Sequence, residues 1–414
     1  MRNISGSGND YDVIIVGGGL AGSSLAAALA NSPLSVAMIE QVEGDYTMPE
    51  AEPGIDHYDP RVSALTAKSQ RFLMTLGAWD GIEAARLASY RQMRVWDGEG
   101  TASLEFSAAE VGCSQLGHIV ENRVTVAALM QRVMAARNIE IIAPAKVTQL
   151  HPLEEADAAA GEACWALELA DGRNLSAALV VAADGAVSPL RAQAGLQTRE
   201  WDYHHHGLVC SVQTEQVHRA TAWQRFTDEG VLAFLPLAGD DQHYCSIVWS
   251  VPAERAAALL ALSDVEFCTE LERQFESTLG AITSVSKRFS FPLRQRHAKE
   301  YYRDGLVLVA DAAHTIHPLA GQGINLGLKD TEVLAEELLR AQKRGVGLGS
   351  RATLSRYQRR RMADNLRMMA LMEALKRLFA RRELSVRWLR NSGMRLVSRI
   401  SLVKRLLIKE AMEG

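Results

Sequence analysis

The glycines that follow the first apolar segment have the spacing of a nucleotide phosphate-binding turn. Gly17, Gly19 and Gly22 form a GxGxxG pattern between the β-branched run 11–16 and the small-residue segment 20–30. The first glycine permits a tight turn, and the second lets the backbone approach a pyrophosphate. The third lets the helix and the strand pack closely. The pattern therefore predicts a strand, a phosphate-binding turn and a helix.

The residues around this turn complete a dinucleotide-binding pattern. Leu20 and Ala21 open the helix, whose N-terminus offers free N–H groups and positive potential to an anion. Glu40 ends the second strand, 18 residues after Gly22, where a carboxylate accepts the ribose hydroxyls. A glycine-rich turn without a ligand is the alternative, but the joint placement of strand, helix and acid disfavours it. The pattern alone does not separate FAD from NAD.

Two later segments also place an acid at the end of an apolar strand. The first ends in Asp184-Gly185, a pair that on its own is more often a simple turn. The second delivers Asp311, where a carboxylate can bind a polyol and the backbone amides that follow can face an electron-rich ring edge. A Pro/Gly loop then opens the next helix and contains Pro318, Gly321, Gln322, Gly323 and Asn325.

Together these segments resemble the class A flavoprotein aromatic hydroxylases and, within them, the ubiquinone-biosynthesis hydroxylases. The resemblance implies that Asp184 and Gly185 brace the pyrophosphate, that Asp311 binds the flavin ribityl chain, and that the Pro/Gly loop lies under the isoalloxazine. Arg61 and Arg123 match positions that touch the flavin, although each alone would be more typical of a surface arginine. One residue departs from the family pattern: Ala310 stands where the family usually has glycine, and its methyl group could crowd the cofactor.

The resemblance implies an activity as well as a cofactor. FAD, reduced by transiently bound NAD(P)H, would react with dioxygen to give a C4a-hydroperoxide that hydroxylates a polyprenylated phenol or benzoquinol ring in ubiquinone biosynthesis. His317 and Gln322, beside the ring, are candidates for proton handling or oxygen positioning. Two alternatives stay open: a hydroxylase of a small soluble aromatic compound, and a flavin-binding assembly subunit without turnover. A ubiquinone-biosynthesis complex is a further expected partner.

The order of the patterns predicts an α/β fold with a split FAD-binding domain and a strand-rich substrate domain. The predicted divisions are FAD-binding segments at 1–90, 123–199 and 294–345, substrate-domain strands at 91–122, an antiparallel substrate domain at 200–293, and a helical basic region at 346–414.

Composition excludes several other classes of protein. The 414 residues carry a net charge of −4, and the five scattered cysteines lack the spacing of a disulfide framework or a zinc site. A two-histidine, one-carboxylate metal site from Asp311, His314 and His317 is disfavoured, because the flavin pattern explains Asp311 better. The histidines at 204–206 are expected to be strand residues. The chain shows no signal core or membrane-length apolar run, which predicts a cytoplasmic enzyme without a nucleic-acid partner.

The segment 376–409 is strongly basic and amphipathic. It contains eleven Lys or Arg against one acid, with Leu, Val, Phe and Trp interleaved at helical spacing. Such a segment suits an anionic membrane surface, so the enzyme would lie peripherally on the inner face of the membrane. The equal alternative is a helix packed on its own domain.

Overall fold

A computed structural model of the chain describes residues 10–49, 54–98, 103–152, 165–239, 241–316, 323–380, 383, 391–392 and 400–413. The strands are β1 (Tyr11–Val16), β2 (Val36–Ile39), β3 (Val62–Leu65), β4 (Leu87–Tyr90), β5 (Gln92–Asp97), β6 (Ser103–Ser107), β7 (Gly117–Glu121), β8 (Ile139–Ile142), β9 (Val147–Pro152), β10 (Trp165–Leu169), β11 (Asn174–Ala182), β12 (Thr198–Thr214), β13 (Thr221–Phe226), β14 (Val231–Pro236), β15 (Tyr244–Pro252), β16 (Ile282–Val285), β17 (Phe289–Ala298), β18 (Tyr302–Arg303), β19 (Leu306–Leu308) and β20 (His314–Thr315). The helices are α1 (Leu20–Leu29), α2 (Ala67–Thr75), α3 (Trp79–Ala84), α4 (Asn122–Met134), α5 (Pro189–Gln193), α6 (Ala253–Ala261), α7 (Asp264–Gln274), α8 (Gly323–Arg344), α9 (Arg351–Ala380) and α10 (Ser401–Glu413).

An eight-stranded sheet carries the phosphate-binding turn. Its main path runs β18-β19-β11-β1-β2-β8, in which β19, β11, β1, β2 and β8 are parallel, and β9 and β10 extend it from β11. The central strand β1 is buried without a break from Val13 to Val16, because α1, α4 and other elements of the main core cover the sheet. The parallel pairing aligns the carboxyl ends of β19, β11, β1 and β2 at one edge.

A nine-stranded sheet faces the cavity of the molecule. Its order is β20-β17-β12-β15-β14-β13-β5-β6, with β16 paired to β12, and all its pairs are antiparallel except β13 with β5. Successive side chains point to opposite faces of a strand. On one face Leu208, Cys210 and Val212 pack in a core that includes Phe267 and Leu271 of α7, and the opposite face looks into the cavity.

The remaining elements close the structure around these two sheets. A three-stranded antiparallel sheet, β3-β7-β4, leads into α4, and α8 packs against α1 and α9. The C-terminal helix α10 packs against α2 and the turn 108–111. Within the described part of the chain, no helix is both long and apolar enough to cross a bilayer. The prediction of an α/β fold with a parallel sheet, a strand-rich second part and a helical C-terminus is confirmed.

Candidate active site

The three sequence segments meet at the carboxyl edge of the parallel sheet. Val16 of β1 pairs with Ala182 of β11, and Ala182 pairs in turn with Leu308 of β19. The turn after β1, the Asp-Gly pair after β11 and the acid after β19 are therefore neighbours in space. Ligands of open α/β sheets bind outside the carboxyl ends of the strands, so this edge is the expected cofactor site.

The glycines of the first turn have the geometry that a phosphate-binding turn requires. Gly17 has a φ of 108°, and an added Cβ would lie 2.4 Å from the carbonyl oxygen of Ala183. A Cβ at Gly22 would lie 1.8 Å from the carbonyl oxygen of Gly17, so helix and strand approach closely only with glycine here. At Gly19, by contrast, a Cβ would meet no described atom within 4 Å, because this residue faces the cavity. The cradle fits a pyrophosphate.

Helix α1 leaves its N-terminal amides available at this cradle. Its N-cap is Gly19, which has no side chain to accept a hydrogen bond, and Leu20 and Ala21 line the cavity. Glu40 also lines the cavity, and its Oε2 accepts a 2.5 Å hydrogen bond from the Gly18 N–H. The carboxylate is therefore held beside the turn, where the sequence places a ribose-binding acid.

The Asp-Gly segment is tied to the third segment through Arg191. Asp184 accepts a hydrogen bond from the Leu190 N–H at 3.1 Å, and burial raises the pKa of its carboxyl. Its second oxygen, Oδ1, is buried and has no hydrogen-bond partner among the described residues. Arg191 donates to the carbonyl oxygens of Ala186 and Ala312, at 2.9 and 2.8 Å. Sequence reasoning missed this bridge, although Arg191 stands at a fixed offset within the motif.

Asp311 faces the cavity from a short 3-10 turn, Ala310–Ala312. Desolvation by the surrounding protein raises the pKa of its carboxyl, and the nearby charges of His314 and Arg296 act in the opposite direction. The first turn of α8 lies across the same space, because Gly323 and Ile324 line the cavity with Asp311. A helix N-terminus at this point favours negative charge on a bound group. The acid and the helix thus fit a ribityl chain and an electron-rich ring edge.

Ala310 adopts a backbone conformation that favours glycine. Its φ is 51°, in the left-handed region, and its N–H donates to Oδ2 of Asp330 at 3.0 Å. The methyl group lies beside Gly327 of α8, where an added Cβ would come within 2.9 Å of it. The methyl group of Ala310 is therefore accommodated in part by a glycine on the facing helix.

A buried charge network holds this turn in place. Asp330 of α8 is fully buried, and its Oδ2 also accepts a 2.6 Å hydrogen bond from Nε2 of His314. Its Oδ1 accepts from Nε of Arg361 at 2.7 Å and from the Asn365 amide at 3.3 Å. Burial tends to raise the pKa of Asp330, but His314 and Arg361 together lower it to about 2. The network links α9 to the turn that carries the proposed ribityl-binding acid.

Several predicted residues have protein partners that define their positions. Asn325 is buried, and its amide bonds Ala64, Thr66 and Ser69, so it braces the start of α2. Arg123 lines the cavity, with its Nε 3.0 Å from Oε2 of Glu121.

The other predicted site residues divide into two groups. Arg61 and Gly185 line the cavity. His317, Pro318, Gly321 and Gln322 lie outside the described residues, so their roles stay predictions.

The described residues do not support a metal centre. None of the His, Cys, Asp and Glu side chains in this part of the chain form a cluster that could hold a metal ion. His314 is engaged by Asp330, His205 contacts the backbone carbonyl oxygens of Tyr203 and Glu229, and His206 bonds Ser290.

A single cavity of about 1200 Å³ joins the cofactor edge to the nine-stranded sheet. It is lined by the phosphate-binding turn and Asp311 at one end. Along the sheet it is lined by Leu293, Val209, Val248, Ala233, Gln224, Ala222, Met93 and Phe106, and at the C-terminus by Leu407, Ile408, Ala411 and Met412. Most of this surface is apolar, and sequence reasoning found neither its extent nor the part that α10 plays in it.

Comparison with known proteins identifies the family. The model of a family described as FAD binding domain matches residues 10–371, and the chain belongs to this family. The predicted cofactor FAD and the predicted flavoprotein family are thereby confirmed.

Several relatives match over nearly the whole chain, and two of them are named as hydroxylases. The 3-demethoxyubiquinol 3-hydroxylase of Escherichia coli (strain K12) is 37% identical over 97% of this chain and 98% of its own. Ubiquinone hydroxylase UbiL of Rhodospirillum rubrum is 38% identical over 97% and 89%.

Solved structures share the fold. Pseudomonas aeruginosa PqsL, in complex with 2-aminobenzoylacetate, superposes with a TM-score of 0.76 at 22% identity, over 93% of this chain and 99% of that one. The p-nitrophenol 4-monooxygenase PnpA of Pseudomonas putida DLL-E4 gives 0.75 at 19% identity, over 97% and 98%.

Proposed function

We propose that this chain is an FAD-dependent monooxygenase that hydroxylates a polyprenylated phenol or benzoquinol ring in ubiquinone biosynthesis. Its relatives named as ubiquinone hydroxylases match nearly end to end, which supports the reaction class. The observation that carries the choice of substrate is the apolar cavity, which begins at the cofactor edge and follows the nine-stranded sheet from β20 to β6.

The length of this cavity favours a ring with a long apolar chain. Six strand-to-strand steps separate β20, which directly follows the Asp311 turn, from β5. At ~4.8 Å per step, the lined face runs roughly 30 Å along the sheet. A single aromatic ring would occupy a small part of that length, whereas a polyprenyl chain would occupy the rest.

The two arginines of β17 that line the cavity argue against a small soluble aromatic acid as substrate, and the other two that line it, Arg61 and Arg123, are the predicted flavin contacts. Such a substrate would need a cation for its carboxylate. Arg296 lines the cavity with its Nε 2.9 Å from Oε1 of Glu200, and Arg294 lies 3.2 Å from Asp202. Both guanidinium groups therefore have carboxylate partners on the neighbouring strand β12. This pairing favours the neutral ring over the alternative of a soluble aromatic acid.

The protein binds and orients the reactants in this proposal. Bound FAD, reduced by NAD(P)H, supplies the activation of dioxygen. The α1 amides and Glu40 would hold the nucleotide, Asp311 would hold the ribityl chain, and the first turn of α8 would stabilise negative charge at the ring edge. The apolar sheet face positions the substrate ring and excludes water. His317 and Gln322 remain the candidates for proton handling or oxygen positioning.

Substrate-dependent turnover separates the proposal from its alternatives. The FAD-loaded protein is supplied with NADH or NADPH and a prenylated phenol, and oxygen uptake and the hydroxylated product are measured. The proposal expects uptake coupled to product. Uptake with a soluble hydroxybenzoate alone would favour the second substrate class, and bound FAD without any turnover would favour an assembly subunit. Membership of a ubiquinone-biosynthesis complex stays a prediction.

We also propose that α10 docks the enzyme on anionic membrane. Its outward face carries the exposed apolar residues Val403, Leu406 and Leu407 beside the exposed Arg405 and Lys409. This combination suits an interface with acidic headgroups. The rest of the basic segment 376–409 lies largely outside the described residues, so docking is argued from α10 alone.

Liposome sedimentation tests this docking. Each basic group near an anionic surface contributes about 1 kcal/mol. Arg405→Glu/Lys409→Glu should therefore weaken binding to anionic liposomes by about 2 kcal/mol or more, roughly 30-fold. Lys343→Glu/Arg344→Glu, an equal charge change at the exposed end of α8, is the control and should bind like wild type. Equal binding by both variants, or none by wild type, would contradict docking through α10.

A further inference from the structure

The C-terminal helix α10 has one buried face and one exposed face. Ile408 is buried and packs in a small cluster with Ala108 and Leu116, while Leu406 on the outward face is 60% exposed. An ion pair of 2.7 Å between Lys404 and Glu110 fixes the helix to its own domain. The inner face of α10 therefore fits the packed alternative for the basic segment. On its outer face Val403, Leu406 and Leu407 are exposed, and Glu410 pairs with Arg367 of α9 at 2.7 Å.

The inner face of α10 closes the far end of the cavity. Ile408, Ala411 and Met412 line it there, together with Met93 of β5 and Phe106 of β6. Met93 and Phe106 are paired across the antiparallel strands, and both belong with Met412 to the cluster around Ile408. This group of apolar side chains lies at the sheet edge remote from β20 and the Asp311 turn.

Leu407 marks where this part of the cavity reaches the surface. Its side chain lines the cavity, yet it is 46% exposed and lies next to the exposed Leu406. An apolar path thus leads from the sheet, past the inner face of α10, to the exposed apolar residues on its outer face. The same helix therefore borders both the cavity and its surface opening.

From this arrangement we propose that α10 and the β5–β6 strands form a binding subsite for the polyprenyl chain of the substrate. The inference rests on the proposed function for the ring and adds the place where the chain lies. Burying methylene and methyl groups against Met93, Phe106, Ile408 and Met412 provides the affinity, because apolar surface is removed from water. The chain leaves the protein past Leu407, on the face that meets the membrane.

Equilibrium binding of two matched phenols tests this subsite without requiring turnover. 2-Methylphenol and 2-farnesylphenol share one ring and differ only in chain length. Each is titrated into the FAD-loaded protein in detergent solution by calorimetry, so that membrane docking plays no part. We expect the farnesyl chain to tighten binding by at least about tenfold in the wild type.

The diagnostic variant is Ala411→Trp, which adds a large side chain at an exposed position of α10 that lines the cavity. It should remove most of the additional affinity that the farnesyl chain provides, while 2-methylphenol binding and FAD content stay within about twofold of wild type. Leu406→Trp adds the same side chain to the outer face and should retain this additional affinity. If Ala411→Trp loses FAD, Ala222→Phe makes the same test from the facing wall, because Ala222 pairs with Met93 and lines the cavity.

Two results would overturn the assignment. One is a wild type that binds the two phenols with equal affinity. The other is an Ala411→Trp or Ala222→Phe variant whose affinity falls equally for both phenols or for neither. Because binding is measured directly, a protein that binds the farnesyl chain here but hydroxylates neither phenol would refute the proposed reaction and leave the subsite standing.

Discussion

Replacement of Arg361 by methionine perturbs the buried network that supports the cofactor turn. The guanidinium is 2% exposed, and its Nε contacts Oδ1 of the fully buried Asp330 at 2.7 Å. Arg361→Met keeps a similar apolar length and leaves the carboxylate with His314, Asn365 and the Ala310 amide as partners. Breaking a buried ion pair from one side costs about 3–5 kcal/mol, because an uncompensated charge remains. We expect the lower end of this range, since three partners are retained.

Hydrogen exchange and denaturation together measure this effect. A loss of about 3 kcal/mol corresponds to more than roughly 100-fold faster exchange. The effect should appear in peptides covering residues 306–316, which include the Ala310 amide, and the urea midpoint of the apoprotein should fall as well. Asp364→Ala is the matched control, because Asp364 is 59% exposed and pairs with the same guanidinium at 3.0 Å. An exposed partner contributes at most about 1 kcal/mol.

The loss of stability caused by Arg361→Met should change with pH in one direction. The folded-state pKa of Asp330 is lowered from 3.8 to about 2, so its ionised network stabilises the fold above the ordinary carboxyl pKa. That contribution is lost as pH falls through the folded pKa. The stability difference between wild type and Arg361→Met should therefore shrink below pH 3.8 and approach its minimum near about 2. Equal destabilisation by Arg361→Met and Asp364→Ala, or a difference that grows in acid, would refute the reasoning.

Two substitutions at the cofactor turn give further predictions. Ala310→Gly should raise the free energy of unfolding by up to about 1 kcal/mol, because glycine tolerates the observed φ of 51°. The same variant should tighten FAD binding by up to ~1 kcal/mol if the methyl crowds the flavin chain; weaker FAD binding, measured by flavin fluorescence, would show that the local geometry has been misread. Asp311→Ala should lose FAD on gel filtration while Asp364→Ala retains it, and comparable retention would count against the ribityl role.

The cofactor edge was predictable because each of its segments is a local pattern. A strand, a glycine turn and a helix are all encoded within residues 11–30, and the acids Asp184 and Asp311 each follow an apolar run. The strand order β19-β11-β1-β2, which brings these segments together, depends on pairings between distant parts of the chain. From the sequence, this strand order could be inferred only through the resemblance to a family.

The supporting network was not predictable from local pattern. Arg361 lies in an exposed-looking run of arginines, and only the packing of α9 on α8 buries it against Asp330. The resemblance to a family predicted Asn325 as a cofactor residue, and this role stays a prediction. Its side-chain amide bonds Ala64, Thr66 and Ser69, which local pattern did not indicate.

In the basic C-terminal segment, the helical period distinguishes the residues that pack on the domain from those that face outward. The sequence allowed either a membrane face or a packed face, because charged and apolar residues alternate throughout. In α10, Lys404 and Ile408 are one turn apart and point inward, whereas Arg405 and Lys409 are one turn apart and point outward. The surface of the domain that contacts α10 includes Glu110 and Leu116, and the side of the helix that packs on this surface is the buried one.

The source of the oxygen atom in the product tests the central claim most directly. The FAD-loaded enzyme is supplied with NAD(P)H and 2-farnesylphenol under ¹⁸O₂ in unlabelled water, and the product is analysed by mass spectrometry. The proposed monooxygenase activity predicts a hydroxylated product that carries one ¹⁸O atom, formed only when the reductant is present. A hydroxyl group that takes its oxygen from water, or reductant-driven oxygen uptake with no hydroxylated ring, would contradict it.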